Sequence, residues 1–202
     1  MLRVTAKGDI LMRADSGGRG HLRSVWFLAV IAAVPLCLVC AWFGVRQWAL
    51  WELRAWNAPL TPWLRSYVTW TSDHRVNETL AERTEYTTWG EVSTETHIMW
   101  SEKGIGAAKY LIGRIDRLLE ERARLTPEPR SDARVDVRLF RLFLALDLML
   151  EKSGTGLTIG GLYTGPLEKK EAFIERYKGV RSELLKGANG DGQHALRAET
   201  GR

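Results

Sequence analysis

One uninterrupted apolar stretch limits what this chain can be more than any other feature of its sequence. From Val25 to Val45 the chain runs for 21 residues without a charged side chain. An α-helix rises about 1.5 Å per residue, so a helix of this length just crosses the ~30 Å hydrocarbon core of a bilayer. The sequence therefore predicts one transmembrane helix over 25–45, with Pro35 tolerated in mid-span as bilayer helices allow.

The segment before this stretch, 1–24, carries five Lys and Arg side chains against two Asp and shows no apolar periodicity. We interpret it as a flexible basic tail. Because basic flanks are enriched on the cytoplasmic side of membranes, the N-terminus is predicted to be cytoplasmic and the C-terminal domain extracytoplasmic. Arg46 and Arg54, just beyond the span, reduce this asymmetry.

A cleaved signal peptide is the alternative to an anchor, with cleavage near Ala41. Its apolar region would be about 7–15 residues long, whereas this run is longer and continues past Ala41. An uncleaved signal-anchor is therefore favoured. Cys37 and Cys40 lie inside the run and are interpreted as small apolar fillers, because a thiolate would be costly in hydrocarbon.

The chain has nine tryptophans, most of them within or close after the apolar stretch. Tryptophan is enriched at bilayer interfaces, where an apolar ring with one N–H donor is well placed. The predicted interfacial set extends the helix over 46–56 and comprises Trp26, Trp42, Trp48, Trp51 and Trp56. An interfacial belt explains this placement better than a base-stacking platform, which would need interleaved Arg and Lys, so no nucleic-acid partner is expected.

Apolar periodicity after the span predicts a mostly helical domain over 57–186 and a flexible tail over 187–202. Thr61-Pro62 is a helix start, and the helix to Trp70 puts Trp63, Tyr67 and Trp70 on one face. That face either closes the domain core or rests on the membrane surface. Core packing is the favoured interpretation.

Residues 86–100 fit two structures. Alternating β-branched residues after Gly90 favour a strand, and spacing through Val92 and Met99 fits a helix almost as well. The predicted fold class is therefore mainly α, or α+β if this segment is a strand. Further helices are predicted at about 73–85, 106–125, 132–152 and 166–185.

The helix at 132–152 has a very apolar centre over 139–150, which raises the question of a second span or of membrane contact. Arg141 and Asp147 oppose insertion, because each mid-helix charge costs roughly 2.5–3.5 kcal/mol. We expect a central helix of the domain, with Asp147 paired to Arg141 or to a neighbouring helix.

A glycine-rich loop follows this helix and is the candidate ligand-binding segment, through Gly154, Gly156, Gly160 and Gly161. No Lys-Ser/Thr pair follows the glycines and no strand precedes them, so a phosphate loop is not predicted. A helix C-cap and loop is the favoured interpretation.

No catalytic constellation, metal-ligand spacing or cofactor motif is found, and the four histidines are scattered. We expect no enzyme and no cofactor, with His97 as a structural histidine. The leading hypothesis is a single-pass, non-enzymatic subunit or assembly factor of an envelope (inner-membrane) complex, such as secretion or conjugation machinery. Its expected partners are the lipid bilayer and other membrane-complex proteins, with a homo-oligomer as one arrangement.

Two alternatives stay open. One is a membrane-tethered ligand-binding or enzymatic domain that uses the 154–165 loop. The other is an interfacial protein in which 46–70, and with it 139–150, lies on the lipid.

Overall fold

The computed structural model describes residues 17–56, 58–88, 90–125 and 133–189; side chains are described from Ile31 onward, apart from that of Leu125. Within these ranges the chain is helical and contains no strand. The helices are α1 (Gly17–Arg54), α2 (Pro62–Trp70), α3 (His74–Tyr86), α4 (Glu91–Glu102), a 3-10 turn (Ile105–Ala107), α5 (Ala108–Leu125), α6 (Ala133–Ser153) and α7 (Leu167–Ala188). The mainly α prediction is confirmed.

The chain divides into two compact units, Met1–Gly44 and Val45–Arg202. In the first, α1 begins at Gly17, so residues 17–24 are helical although the sequence placed them in the tail. Residues 1–16 of that tail, and the C-terminal tail from residue 190, lie outside the described residues.

The second unit is built around α6, which packs against α3, α4 and α5. Its buried face carries Leu139, Leu142, Phe143, Leu146 and Met149, so this apolar helix is a core helix as predicted. Burying each such side chain stabilises the fold by about 1.5–3 kcal/mol. The Phe143 ring also meets the rings of Phe173 and Tyr177 on α7 at centroid distances of 4.9 and 5.1 Å.

The strand alternative for 86–100 is wrong, because these residues lead into and form helix α4. Ser93, Thr96, His97 and Trp100, spaced three and four apart, make its buried face. The Thr96 hydroxyl donates to the Val92 carbonyl at 2.7 Å, which gives a β-branched residue a local partner inside the helix. The Trp100 Nε1–H donates to Thr84 Oγ1 on α3 at 2.6 Å.

Helix α2 begins at Pro62 and ends at Trp70 as predicted, but only Tyr67 of its aromatic face packs against the core. Leu64 and Val68 are buried, while Trp63 and Trp70 are 45% and 79% exposed. The favoured core interpretation is therefore wrong for the two tryptophans, because Leu64 and Val68 form the side of the helix that meets the core.

Asp147 is half-buried and has no ion-pair partner among the residues with described side chains. Its predicted partner Arg141 lies six residues earlier, which places the two side chains about 120° apart around the helix. The Arg141 guanidinium instead donates to the Glu85 carbonyl at 3.0 Å. Burial, together with the Glu151 charge, raises the pKa of Asp147.

Candidate membrane-proximal interface

Helix α1 presents an apolar surface that no described residue of its own unit covers. From Ile31 to Phe43 its large apolar side chains are 53–66% exposed. Over Ile31–Arg54 the helix is long and apolar enough to cross a membrane, and it alone passes that test among the described residues. Cys37 and Cys40 are also exposed on this helix, and their interpretation as apolar fillers stays a prediction.

Four exposed tryptophans of the second unit, which we call together the tryptophan face, are Trp48, Trp51, Trp63 and Trp70. The first two lie three residues apart in the last turns of α1, and the other two lie seven apart, on one side of α2. The rings of Trp48 and Trp63 meet edge to face at 5.4 Å, which joins the two helices.

The remaining predicted interfacial tryptophans lie elsewhere. Trp56 follows the end of α1 and stacks on Tyr86 of α3, with ring centroids 4.8 Å apart. Trp42 is exposed within the apolar part of α1. Trp26 is in the helix, in the part whose side chains are not described. Their contact with a membrane stays a prediction.

The end of α1 is fixed by a buried cation. Arg83 of α3 is fully buried, and its guanidinium donates to the carbonyls of Glu52 (3.0 Å), Leu53 (3.4 Å), Ala55 (3.1 Å) and Ala58. The last carbonyls of a helix have no partner inside the helix, and a cation there also opposes the negative end of the helix dipole. Burial lowers the pKa of Arg83, and the nearby carboxylates offset part of this shift.

Two carboxylates hold the connection between α1 and α2. Glu52 accepts from the backbone N–H of Thr61 at 2.8 Å and from its hydroxyl at 2.7 Å. Glu95 of α4 accepts from the backbone N–H of Leu60 at 3.1 Å. The Thr61 hydroxyl, predicted to cap α2, is therefore used to tie α2 to α1 instead.

The next two helices end in the same way. Lys103 is buried, and its ammonium donates to the carbonyls of Val68, Thr69 (3.1 Å) and Thr71 (3.3 Å) at the end of α2. Arg141 donates to the Glu85 carbonyl at the end of α3. Three successive helices thus have their C-terminal carbonyls satisfied by cations from other elements, and each helix end is locked to the rest of the unit.

The buried carboxylates are also engaged. Glu85 pairs with Arg138 and, at 3.2 Å, with Arg114. Asp136 accepts from the Tyr163 hydroxyl at 2.8 Å and from the Lys170 ammonium. Burial alone would raise the pKa of Asp136, but these bonds hold it below its usual value. Carboxylates held in this way serve to join helices.

The predicted glycine-rich loop connects α6 and α7. Its candidate residues Gly154, Gly156, Gly160 and Gly161 all have positive φ, between 64° and 86°. Ile159 and Tyr163 anchor the loop by packing into the core. The glycines serve the turns between these anchors, and a ligand-binding role for this loop stays a prediction.

Within the described residues no group of three His, Cys, Asp or Glu side chains could hold a metal ion. His97 is buried between Ser93 Oγ (3.4 Å) and the Arg141 carbonyl (3.3 Å). Burial lowers its pKa, so the ring is neutral at pH 7. His74 is exposed beside Glu78 at 3.4 Å.

The roles of Arg83 and Lys103 were not predicted from the sequence. Arg83 lies three residues after Leu80 and seven after Val76, so apolar spacing did place position 83 on the buried face of α3. Lys103 follows directly on the last residue of α4, and its role depends on where α2 ends in space. Only Arg83 could have been found from the sequence, through the apolar spacing of α3.

Comparison of the chain with protein-family models, with curated proteins and with solved structures finds no match.

Proposed function

We propose that this protein is a single-pass membrane protein whose helical domain acts by binding, as a non-enzymatic subunit or assembly factor of an inner-membrane complex. In this proposal α1 is the uncleaved anchor, the basic N-terminus is cytoplasmic and the second unit is extracytoplasmic. Partners are the bilayer and other proteins of the complex, and a homo-oligomer is one form of it.

The observation that carries the proposal is the contrast between two apolar helices. In α6 the large apolar residues are buried against α3, α4 and α5, whereas those of α1 between Ile31 and Phe43 are more than half exposed. Water would oppose such exposure at roughly 25 cal/mol per Å² of apolar surface. A bilayer removes that cost, and a helix of this length matches its hydrocarbon core.

The character of the second unit supports a binding role. Arg83, Lys103 and Arg141 satisfy helix ends, and Glu85 and Asp136 join helices, so these buried charged groups serve packing. A catalytic acid or base must face a cavity that substrate can enter. Lys103 and Asp136 do each line a surface cavity, but the polar atoms of both are bound to packing partners there. A domain of this kind offers a stable surface on an anchor.

Orientation is tested first. A reporter enzyme active only outside the cytoplasm, and a fluorescent protein that matures only inside it, are fused separately to each end of the full chain. Activity of the first at the C-terminus and fluorescence of the second at the N-terminus are expected. The reverse pattern would contradict the extracytoplasmic placement of the domain.

The subunit role is tested by mild detergent extraction and sizing. The expected particle exceeds one 22.9 kDa chain with its detergent, and cross-linking then distinguishes copies of this chain from other proteins. Migration as a single chain under mild solubilisation would contradict the proposal.

A further inference from the structure

The tryptophan face is a set of exposed aromatic side chains that no described element of the second unit covers fully. Trp48, Trp51, Trp63 and Trp70 are 50%, 71%, 45% and 79% exposed. A tryptophan side chain presents about 150–250 Å² when free, so four such rings expose on the order of several hundred Å². Exposed apolar patches of this size mark interaction sites.

The outward position of these rings is fixed by the fold. Leu64 and Val68 fill the core side of α2. A rotation of the helix that buried its tryptophans would therefore expose Leu64 and Val68. Lys103 binds the carbonyl end of α2, and Glu52 holds Thr61 at its start. Both ends of α2 are therefore held, and Trp63 and Trp70 stay outside.

The composition of the face indicates what covers it. Trp48 and Trp51 lie on the same helix as the apolar span, directly after it, where the chain leaves the hydrocarbon in the proposed anchor. Arg54 follows Trp51 by three residues and is exposed, whereas Arg65 is half-buried and lies on another side of α2 from its tryptophans. The Trp48 N–H donates to Glu52 Oε1 at 2.7 Å. Exposed indole rings next to an exposed arginine suit the headgroup region of a bilayer with anionic lipids.

We infer that the tryptophan face lies in the headgroup region of the bilayer, with α2 as an interfacial helix that holds the second unit against the membrane surface. This inference rests on the proposed membrane anchoring. It adds that the domain has one fixed side toward the lipid, and that its partners are met on the other sides.

The test uses full-length protein carrying one fluorescent NBD label in vesicles of zwitterionic and anionic lipid. Both native cysteines are changed to Ala, and Ser66→Cys then places the label on the exposed side of α2 between Trp63 and Trp70, with all four tryptophans kept. Glu120→Cys on α5, whose side chain is 70% exposed, is the matched control. A third protein keeps Cys40 alone and reports on the anchor.

Each label is exposed to aqueous iodide, to lipid spin-labelled at the headgroup and to lipid spin-labelled in mid-chain. For an interfacial helix the Ser66→Cys label is expected to be quenched about twofold by headgroup spin label and protected from iodide. The Glu120→Cys label should show the opposite pattern. Adding Trp63→Gln and Trp70→Gln to the Ser66→Cys protein should restore quenching by iodide.

The outcomes separate the two proposals. If iodide reaches the Ser66→Cys and Glu120→Cys labels equally while mid-chain spin label quenches Cys40, the anchor holds and this inference is overturned. Protection of the Ser66→Cys label from both iodide and lipid spin labels would mean that a second copy covers the face, which also overturns it. Failure of mid-chain spin label to quench Cys40 would overturn the anchor itself.

Discussion

Arg83 is a cation whose main partners are backbone carbonyls at the end of α1. We predict that Arg83→Met lowers the free energy of unfolding by about 3–5 kcal/mol, as removal of one partner from a buried charged network does. The Leu53 carbonyl would lose its Arg83 donor, and the carbonyls of Glu52 and Ala55 would keep only the backbone N–H donors of Ala55 and Ala58. Denaturant titration of the full chain in detergent measures the loss.

Arg75→Met on the same helix is the control, since the Arg75 side chain is exposed. It should change the free energy of unfolding by less than about 0.5 kcal/mol. Equal and small effects of the two substitutions would show that Arg83 does not hold the end of α1.

Lys103 makes stability depend on pH in the alkaline range. Burial lowers the pKa of its ammonium from the usual 10.5 to about 8. Between these values the unfolded chain binds more protons than the folded one, so this group makes the free energy of unfolding rise with pH. Each pH unit in this window adds up to about 1.4 kcal/mol, so the free energy of unfolding rises by about 3 kcal/mol from pH 8 to 10.5.

The measurement is denaturant unfolding between pH 7.5 and 10 for the wild type and Lys103→Met. The wild type should gain stability relative to the variant as pH rises through this window. Lys178→Met removes an exposed lysine and should follow the wild type at every pH. Parallel curves for wild type and Lys103→Met would contradict the shifted pKa.

At this scale the sequence predicted residue types better than residue partners. The apolar spacing through Val76 and Leu80 places position 83 inside, and Asp147 was correctly identified as an acid on an apolar helix. The partners could not be predicted, because Arg83 and Arg141 bind carbonyls at the ends of other helices. Such contacts follow from the packing of the whole unit, which no local pattern encodes.

Among the elements, the loop between α6 and α7 depends most on backbone conformation. Gly156 has φ of 70° and open space around it, so a side chain there meets strain and no clash. We predict that Gly156→Ala costs about 1–2 kcal/mol, the penalty of the left-handed region for a residue with Cβ. Gly156→Asn should cost less, because asparagine tolerates that region.

Gly113→Ala should have the opposite effect on the free energy of unfolding, and denaturant titration measures both substitutions. Gly113 lies inside α5 with nothing within 4 Å of an added Cβ. This substitution should stabilise the chain by roughly 0.5–1 kcal/mol. If Gly156→Ala were neutral or stabilising, the loop would not need the conformation described.

Helix starts were predictable where a proline marked them. The type of element was ambiguous where the spacing of side chains fitted both a strand and a helix. Thr61-Pro62 gave the start of α2, and Pro166 preceded α7. The segment before Trp100 alternates between apolar and polar residues like a strand. It forms a helix in which the hydroxyls of Ser93, Thr94 and Thr96 have hydrogen-bond partners one turn away. Trp63, Tyr67 and Trp70 were predicted on one face of α2, but which side of α2 meets the core depends on α4, against which α2 packs.

For the whole molecule the apolar span remains the decisive feature. Its proposed position in a bilayer leads to a direct prediction. Leu36 and Val39 are 64% and 61% exposed and belong to the first unit, so charges there do not disturb the packing of the second. An acid at the centre of a span costs roughly 2.5–3.5 kcal/mol, and replacing Leu or Val also removes a favourable contribution. The double substitution Leu36→Asp with Val39→Asp should therefore release the chain from membranes into the alkaline carbonate supernatant, with the helical circular dichroism of the second unit retained.

Leu36→Val with Val39→Leu keeps the apolar content and should stay in the pellet. Retention of the double aspartate variant in the pellet would mean that α1 is held by something other than hydrocarbon.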